Sequence, residues 1–261
     1  MVLVKGVKFN SMLARHFHMV EKVLGGKEKV KVALAQVNPA FLNKDKCIEK
    51  ARRLIMEAGR NGADLIVFPE AWIPTYPYWG GRFTYNVEKW RKVNITLQEN
   101  SIVIPSEDTE KLCDAARGGN IHVVMGLNEL DNRPGCRTLY NTLLFIGREG
   151  RILGRHRKLM PTSTERLFWG LGDASDLQVF KTDIGHLGGL ICWEHHMVLV
   201  RAAMMFKGEE IHVAVWPGSW CFKGPRVLEP DITSTLCDLY PAVREYAFEA
   251  GCFVVSCSAY V

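Results

Sequence analysis

The sequence predicts one α/β domain with its sheets covered by helices, and three observations carry that expectation. Beyond about residue 30, short runs rich in Val, Leu and Ile alternate with stretches of helical apolar spacing. One Gly-bounded hairpin interrupts the alternation, and no repeat, low-complexity tract or composition shift marks an internal boundary.

VKVALAQV (30–37) is the first strand. Ile48, Ala51, Leu54, Ile55 and Ala58 recur at helical spacing, and Asn61-Gly62 breaks that helix before the strand ADLIVFP. Pro105-Ser106 opens a second helix through Leu112, Ala115 and Ala116, closed by Gly118-Gly119 and followed by the strand IHVVMGL. LYNTLLFIG, the turn Arg148-Glu149-Gly150 and RILGRHR read as a hairpin. HLGGLIC is a strand, 195–207 a helix and IHVAVWP a strand; a last helix near 241–250 precedes the strand CFVVSCSA. Residues 1–29 read as an N-terminal extension to a domain spanning 30–261. The first twenty residues carry Lys5, Lys8 and Arg15 with no acid before Glu21, a pattern shared by transit peptides and by an extra leading helix.

Composition narrows the function classes. The 261 residues are 48% hydrophobic and 23% charged, and the formal net charge of +5 is spread over interleaved acids and bases. A basic stripe with spaced aromatics is missing, which argues against nucleic-acid binding. No apolar run approaches the ~18–20 residues of a membrane-spanning helix. The eight cysteines include no C-x-x-C pair, and no His cluster stands at zinc-finger spacing, so no metal is expected. Several cysteines lie inside apolar strand-like runs, which suits buried thiols in a reducing, cytoplasmic compartment.

Three groups with chemical potential each follow a strand: Glu70 closes ADLIVFPE, Lys158 closes RILGRHRK and Cys192 closes HLGGLIC. Ligands gather at the carboxyl ends of strands in α/β sheets, because loops there bring distant residues together. A carboxylate, an ammonium and a thiol that converged would make an activated nucleophile: the acid removes the thiol proton, the amine stabilises the anion, and sulfur attacks. Position alone leaves the plain alternatives open, a packed thiol and two solvated loop charges.

FPEAWIPTYPYW (68–79), HRKLMPTSTERLFWGLGD (156–173), GGLICWEHH (188–196) and REYAFEAGCFV (244–254) follow one another in this order. Together they resemble the nitrilase superfamily, and specifically its nitrilase branch, from about residue 30 to the end of the sequence. The resemblance implies a four-layer α-β-β-α sandwich. It also implies a Glu-Lys-Cys catalytic set, with Glu70 as general base, Lys158 as the lysine and Cys192 as the nucleophile. Glu165 in TSTERLFWG matches a second glutamate that positions lysine and substrate. The backbone N–H of Trp193 would help Lys158 hold developing negative charge. Cys-Trp-Glu is the nitrilase branch's form, and His195 stands where such proteins carry Asn or His.

The activity implied is hydrolysis of a nitrile to its carboxylic acid and ammonia, through a thioimidate and then a thioester on Cys192, with no cofactor. The partners implied are a small-molecule nitrile and further copies of the same chain, since 195–207 and 241–250 match a dimer-forming surface. They could equally be ordinary amphipathic cover. Related proteins continue past the strand equivalent to CFVVSCSAYV with further strands and a tail, so a sheet edge open at that point is expected here. Amidase, cyanide-hydrolysing or nitrile-to-amide chemistry on the same thiol is the near alternative, and a catalytically poor oligomeric scaffold the distant one.

The aromatics Trp72, Tyr76, Tyr78 and Trp79 crowd the loop after Glu70, and Trp216-Pro217-Gly218 ends another strand. Core packing accounts for such residues; so would a substrate-pocket wall, for which Trp72, Trp193, Trp216 and Pro217 are the candidates. His195 and His196 are adjacent and lack a partner cluster, which disfavours a metal role. Glu194 suits a hydrogen-bonding role in the nucleophile's turn.

Overall fold

The computed structural model describes residues 2–4, 23–80, 86–218 and 239–260. Apart from Val2–Val4, the first twenty residues lie outside the described residues, as do Cys221 and Cys237.

In chain order the strands and helices are β1 (Val2–Val4), β2 (Val32–Leu34), α1 (Lys44–Arg60), β3 (Leu65–Val67), α2 (Val87–Glu99), α3 (Glu107–Gly119), β4 (His122–Leu130), β5 (Leu139–Ile146), β6 (Ile152–Arg157), β7 (Phe180–Thr182), β8 (Gly185–Ile191), α4 (Val198–Phe206), β9 (Ile211–Trp216), α5 (Leu239–Ala250) and β10 (Phe253–Ser258). Asn43 caps α1 by accepting from the Lys46 N–H, and Ser106 forms a reciprocal capping box with Thr109 at α3. The expected hairpin is β5–β6, antiparallel, with Thr142 opposite Arg157.

Two sheets result. One runs β1-β2-β3-β4-β5-β6, the other β10-β9-β8-β7. β2, β3 and β4 are mutually parallel, as are β8, β9 and β10. The apolar clusters set the layers. Ile48, Ile55, Leu112 and Ala116 of α1 and α3 pack on Ile66, Val123 and Met125 of the first sheet. Leu65, Val67, Leu143 and Phe145 of that sheet meet Leu187, Ile191, Val213 and Val215 of the second. Met204 and Tyr246 of α4 and α5 cover the outer face of β8 at Leu190. The order is therefore helices, sheet, sheet, helices, the four layers that the resemblance implied. β4 and β5 are covered on both faces, which explains their almost unbroken burial.

Helix α2 was not anticipated, because only Leu97 of its thirteen residues is buried and its apolar stripe is weak. The helix expected at 195–207 begins at Val198, since Cys192–His196 forms a separate 3₁₀ turn.

Helices α1 and α3 meet at glycines: a Cβ on Gly59 would stand 2.2 Å from the Gly119 carbonyl oxygen. Gly59→Ala gains about 1 kcal/mol of helix propensity but forces two backbones apart, at a cost of about 1–3 kcal/mol. We expect a lowered urea midpoint with an unchanged slope; a raised midpoint would contradict this close approach.

Candidate active site

Two of the three strand ends bring their residues into contact, and the third places Cys192 within electrostatic reach of them. Glu70 follows β3, Lys158 follows β6, and Cys192 follows β8 in the opposite sheet. All three are buried, as is Glu165 in the 3₁₀ turn Ser163–Leu167. The Lys158 Nζ donates to Glu70 Oε1 at 3.0 Å and to Glu165 Oε2 at 2.8 Å, so one ammonium bridges two carboxylates.

Each carboxylate is held by further donors. Asn141 Nδ2 of β5 donates to Glu70 Oε1 at 2.7 Å, the same oxygen that Lys158 uses. Glu70 Oε2, buried, has no hydrogen-bond partner among the described residues. One oxygen is thus anchored, and the other is left with lone pairs to take a proton. Glu165 accepts from the Tyr76 hydroxyl at 2.8 Å and from the Thr162 N–H at 2.6 Å. Gly126 of β4 makes room for this arrangement: a Cβ there would fall 1.9 Å from the Pro69 carbonyl oxygen and 2.9 Å from the Glu70 Cα.

Cys192 stands at the end of β8 with φ 53°, in the left-handed region. Ala71 (φ 47°) directly after Glu70, and Ser163 (φ 50°) between Lys158 and Glu165, share that conformation. Non-glycine residues held there cost roughly 1–3 kcal/mol each and persist only where surrounding contacts enforce them. Glu194 supplies such contacts. Its carboxylate accepts from the Ile191 N–H, the Leu159 N–H and His156 Nε2, each at 2.8 Å. The residue before the nucleophile is thereby tied, through Glu194, to the residue after the lysine, across the two sheets.

Electrostatics follow from burial and proximity. Burial, reinforced by Glu165 and opposed by Lys158, pushes Glu70 up to about 7. Burial works against the Lys158 charge, but Glu70, Cys192 and Glu165 outweigh it and raise its pKa above the ordinary lysine value. Burial and the Glu70 charge raise the Cys192 thiol well above its usual range, while Lys158 and the Trp193 backbone N–H act in the opposite direction. At rest the sulfur therefore keeps its proton, within electrostatic reach of Glu70 and Lys158.

The carbon-nitrogen hydrolase family model matches residues 31–260. The chain belongs to that family. It is 40% identical over 228 residues to Nitrilase 2 of an unknown prokaryotic organism, covering 87% of this chain and 67% of that protein. It is 38% identical to an aliphatic nitrilase of Rhodococcus rhodochrous, covering 86% of this chain and 59% of that protein. These relatives place it in the nitrilase branch; the chain spans about three fifths to two thirds of their length. A crystal structure of Saccharomyces cerevisiae Nit3, described as a member of branch 10 of the nitrilase superfamily, matches with TM-score 0.67 and 20% identity, over 88% of this chain and 75% of that one. At that identity it speaks for the fold.

The candidate pocket residues divide. Trp216 is buried in the same cluster as Cys192, and its ring stacks on His195 at 5.0 Å. The Pro217 carbonyl accepts from the Tyr78 hydroxyl. Trp193 is 44% exposed and packs on His196, so its side chain points away from the core while its backbone serves the sulfur. Trp72 is a correction. It lies against Phe68 in the layer beneath α1 and α3, with its Nε1 donating to the Val37 carbonyl at 2.8 Å. The left-handed turn at Ala71 sends it there, so it is a core residue and not a pocket wall. Among the described residues no group of three or more His, Cys, Asp or Glu could hold a metal ion.

Asn141 and Tyr76 were not singled out from sequence as partners of the two glutamates. A polar Asn inside the apolar run LYNTLLFI was the available signal, since a buried amide requires a partner.

The pH sign follows from Glu70. As pH rises through about 7 the carboxylate loses its proton and becomes able to take the one on sulfur. Iodoacetamide alkylation of Cys192, resolved by peptide mass spectrometry, should rise with an apparent midpoint near 7. Glu70→Gln should lose that step and lower the rate at pH 8 by roughly 10²-fold. An unchanged profile would remove Glu70 as the base.

Proposed function

We propose that this chain is a nitrilase, hydrolysing a nitrile to the carboxylic acid and ammonia through covalent intermediates on Cys192. The observation that carries the reading is the Lys158 ammonium held at 3.0 Å from Glu70 and 2.8 Å from Glu165, beside a cysteine in a left-handed turn. The curated relatives named as nitrilases support the substrate class.

Glu70 takes the Cys192 proton as sulfur adds to the nitrile carbon. One C–N π bond breaks, and negative charge develops on nitrogen next to Lys158 and the Trp193 N–H. Proton return to that nitrogen gives the thioimidate. Water, deprotonated by Glu70, adds to the carbon and gives a tetrahedral adduct. Protonation of its nitrogen and loss of ammonia leave the thioester. A second water then adds, the C–S bond breaks, and the acid leaves with the thiol restored. Glu165 positions Lys158 throughout and is itself held by Tyr76.

Expulsion of the thiolate from the first tetrahedral adduct would release amide instead. That branch is the second reading, supported by a relative from Lupinus angustifolius described as a bifunctional nitrilase/nitrile hydratase, 37% identical over 238 residues. Self-association is also part of the proposal: Leu199 and Phe206 of α4 and Phe248 of α5 stand 84%, 92% and 88% exposed. A reducing, cytoplasmic setting fits the six described cysteines, all free thiols.

The test is a nitrile panel with ammonia and amide assayed together and intact mass followed during turnover. We expect ammonia release and an adduct confined to Cys192. Cys192→Ala should abolish both with the fold retained, and turnover in that variant would overturn the mechanism. Lys158→Ala should lower kcat by about 10²-fold or more with a smaller effect on KM; a change confined to KM would contradict its placement beside the developing charge.

A further inference from the structure

A second buried polar array lies behind the nucleophile, and none of the chemistry above uses it. His195 Nδ1 stands 2.7 Å from the Cys192 carbonyl oxygen. Its Nε2 stands 2.9 Å from His212 Nε2 of β9, and His212 Nδ1 stands 2.8 Å from Glu209 Oε2. The Tyr246 hydroxyl of α5 donates to the same Glu209 oxygen at 2.7 Å. All four side chains are buried between the second sheet and helices α4 and α5, where apolar packing would be the simpler solution. The fold makes space for the array at Gly188 of β8, where a Cβ would fall 1.9 Å from Glu209 Oε1.

Counting hydrogens gives the array a direction. A carbonyl only accepts, so the His195 Nδ1 must carry hydrogen. Burial and the neighbouring His212 hold the His195 pKa well below the ordinary histidine value, so His195 is neutral and its Nε2 is an acceptor. His212 Nε2 must then donate. Its Nδ1 faces Glu209, which requires one further hydrogen between the two: either on Nδ1, making an imidazolium–carboxylate pair, or on the carboxyl. The hydrogens run from Glu209 to the nucleophile's carbonyl without a mismatch only when that shared proton is present.

We propose that His195, His212 and Glu209 are positioning residues that act on Cys192 as a unit, a proton-holding relay that fixes the nucleophile's carbonyl and with it the left-handed turn. The turn aims the Trp193 N–H at the sulfur, so the relay governs how well the thiolate is stabilised and aligned. The other titratable groups facing the relay are His196 of the 3₁₀ turn, Arg201 of α4 (paired with Glu245 and Glu249 of α5) and Cys252 before β10. None of them is placed to donate along the chain in place of His212.

The inference deepens the nitrilase reading, and its test does not depend on finding the right nitrile. The readout is the plateau rate of Cys192 alkylation by iodoacetamide, peptide-resolved, with circular dichroism to score folding. His195→Ala removes the donor to the carbonyl, while His195→Asn places an amide N–H where Nδ1–H stood. Glu209→Ala leaves the His212 Nδ1 unmatched, while Glu209→Gln donates an N–H to it and needs no shared proton.

We expect His195→Ala and Glu209→Ala to lower the plateau rate by about tenfold or more, and the Asn and Gln variants to recover most of it. On any nitrile that is turned over, the same losses should fall on kcat with KM within about threefold. If His195→Ala fails to fold, the Glu209 pair decides alone. Alkylation at the wild-type rate in a folded Ala variant, or Asn and Gln behaving no better than Ala, would overturn the relay. If the rescue pattern holds while no nitrile yields ammonia or amide, the relay stands and the nitrilase reading falls.

Discussion

The Lys158 ammonium, buried between Glu70 and Glu165, is the constraint from which the rest of the site follows. Removing an ion from water costs several kcal/mol even after relaxation, and the cost is recovered only with close partners of opposite charge. Lys158 has two. They are not equivalent: Glu165 has donors on both oxygens, whereas Glu70 keeps one oxygen without a partner among the described residues. Burial, with the Glu165 charge adding to it and Lys158 opposing it, pushes Glu70 up to about 7. A carboxyl that titrates near neutral pH is therefore a consequence of burial beside a second carboxylate.

The fold serves this site by delivering Glu70, Lys158 and Cys192 from strand ends. Glu70 and Lys158 leave the first sheet, Cys192 leaves the second, and the Glu194 carboxylate links the two departures through the Ile191 and Leu159 amides. Left-handed residues at Ala71, Ser163 and Cys192 let the chain turn sharply at all three approaches. Strain of that kind is held by its surroundings, which is why the polar array behind Cys192 matters to the same chemistry.

Much of this was legible in the sequence. Period and punctuation located most of the long elements, because strands covered on both faces read as apolar runs and Asn61-Gly62 and Gly118-Gly119 end helices where expected. Three of the four short motifs pointed to Glu70, Lys158, Glu165 and Cys192, which the structure brings together or within electrostatic reach. What was not legible depends on direction. Trp72 looked like a pocket aromatic by proximity to Glu70, but one left-handed residue turned it into the helix-side core. Helix α2 buries too little apolar surface to show a period. The partners of Glu209 and His212 are set by cross-strand register and by a glycine 21 positions away, at Gly188, which no local pattern displays.

The central claim is that Lys158 and its carboxylates are one electrostatic unit. A double-mutant cycle of Lys158→Met and Glu165→Leu, read by urea unfolding at pH 8, tests it most directly. Removing the lysine alone strands two buried carboxylates and should cost about 3–5 kcal/mol. Removing both groups should cost less than the sum of the single changes by about 2 kcal/mol or more. Additive losses, within about 0.5 kcal/mol, would show that the charges do not depend on one another and would contradict the account.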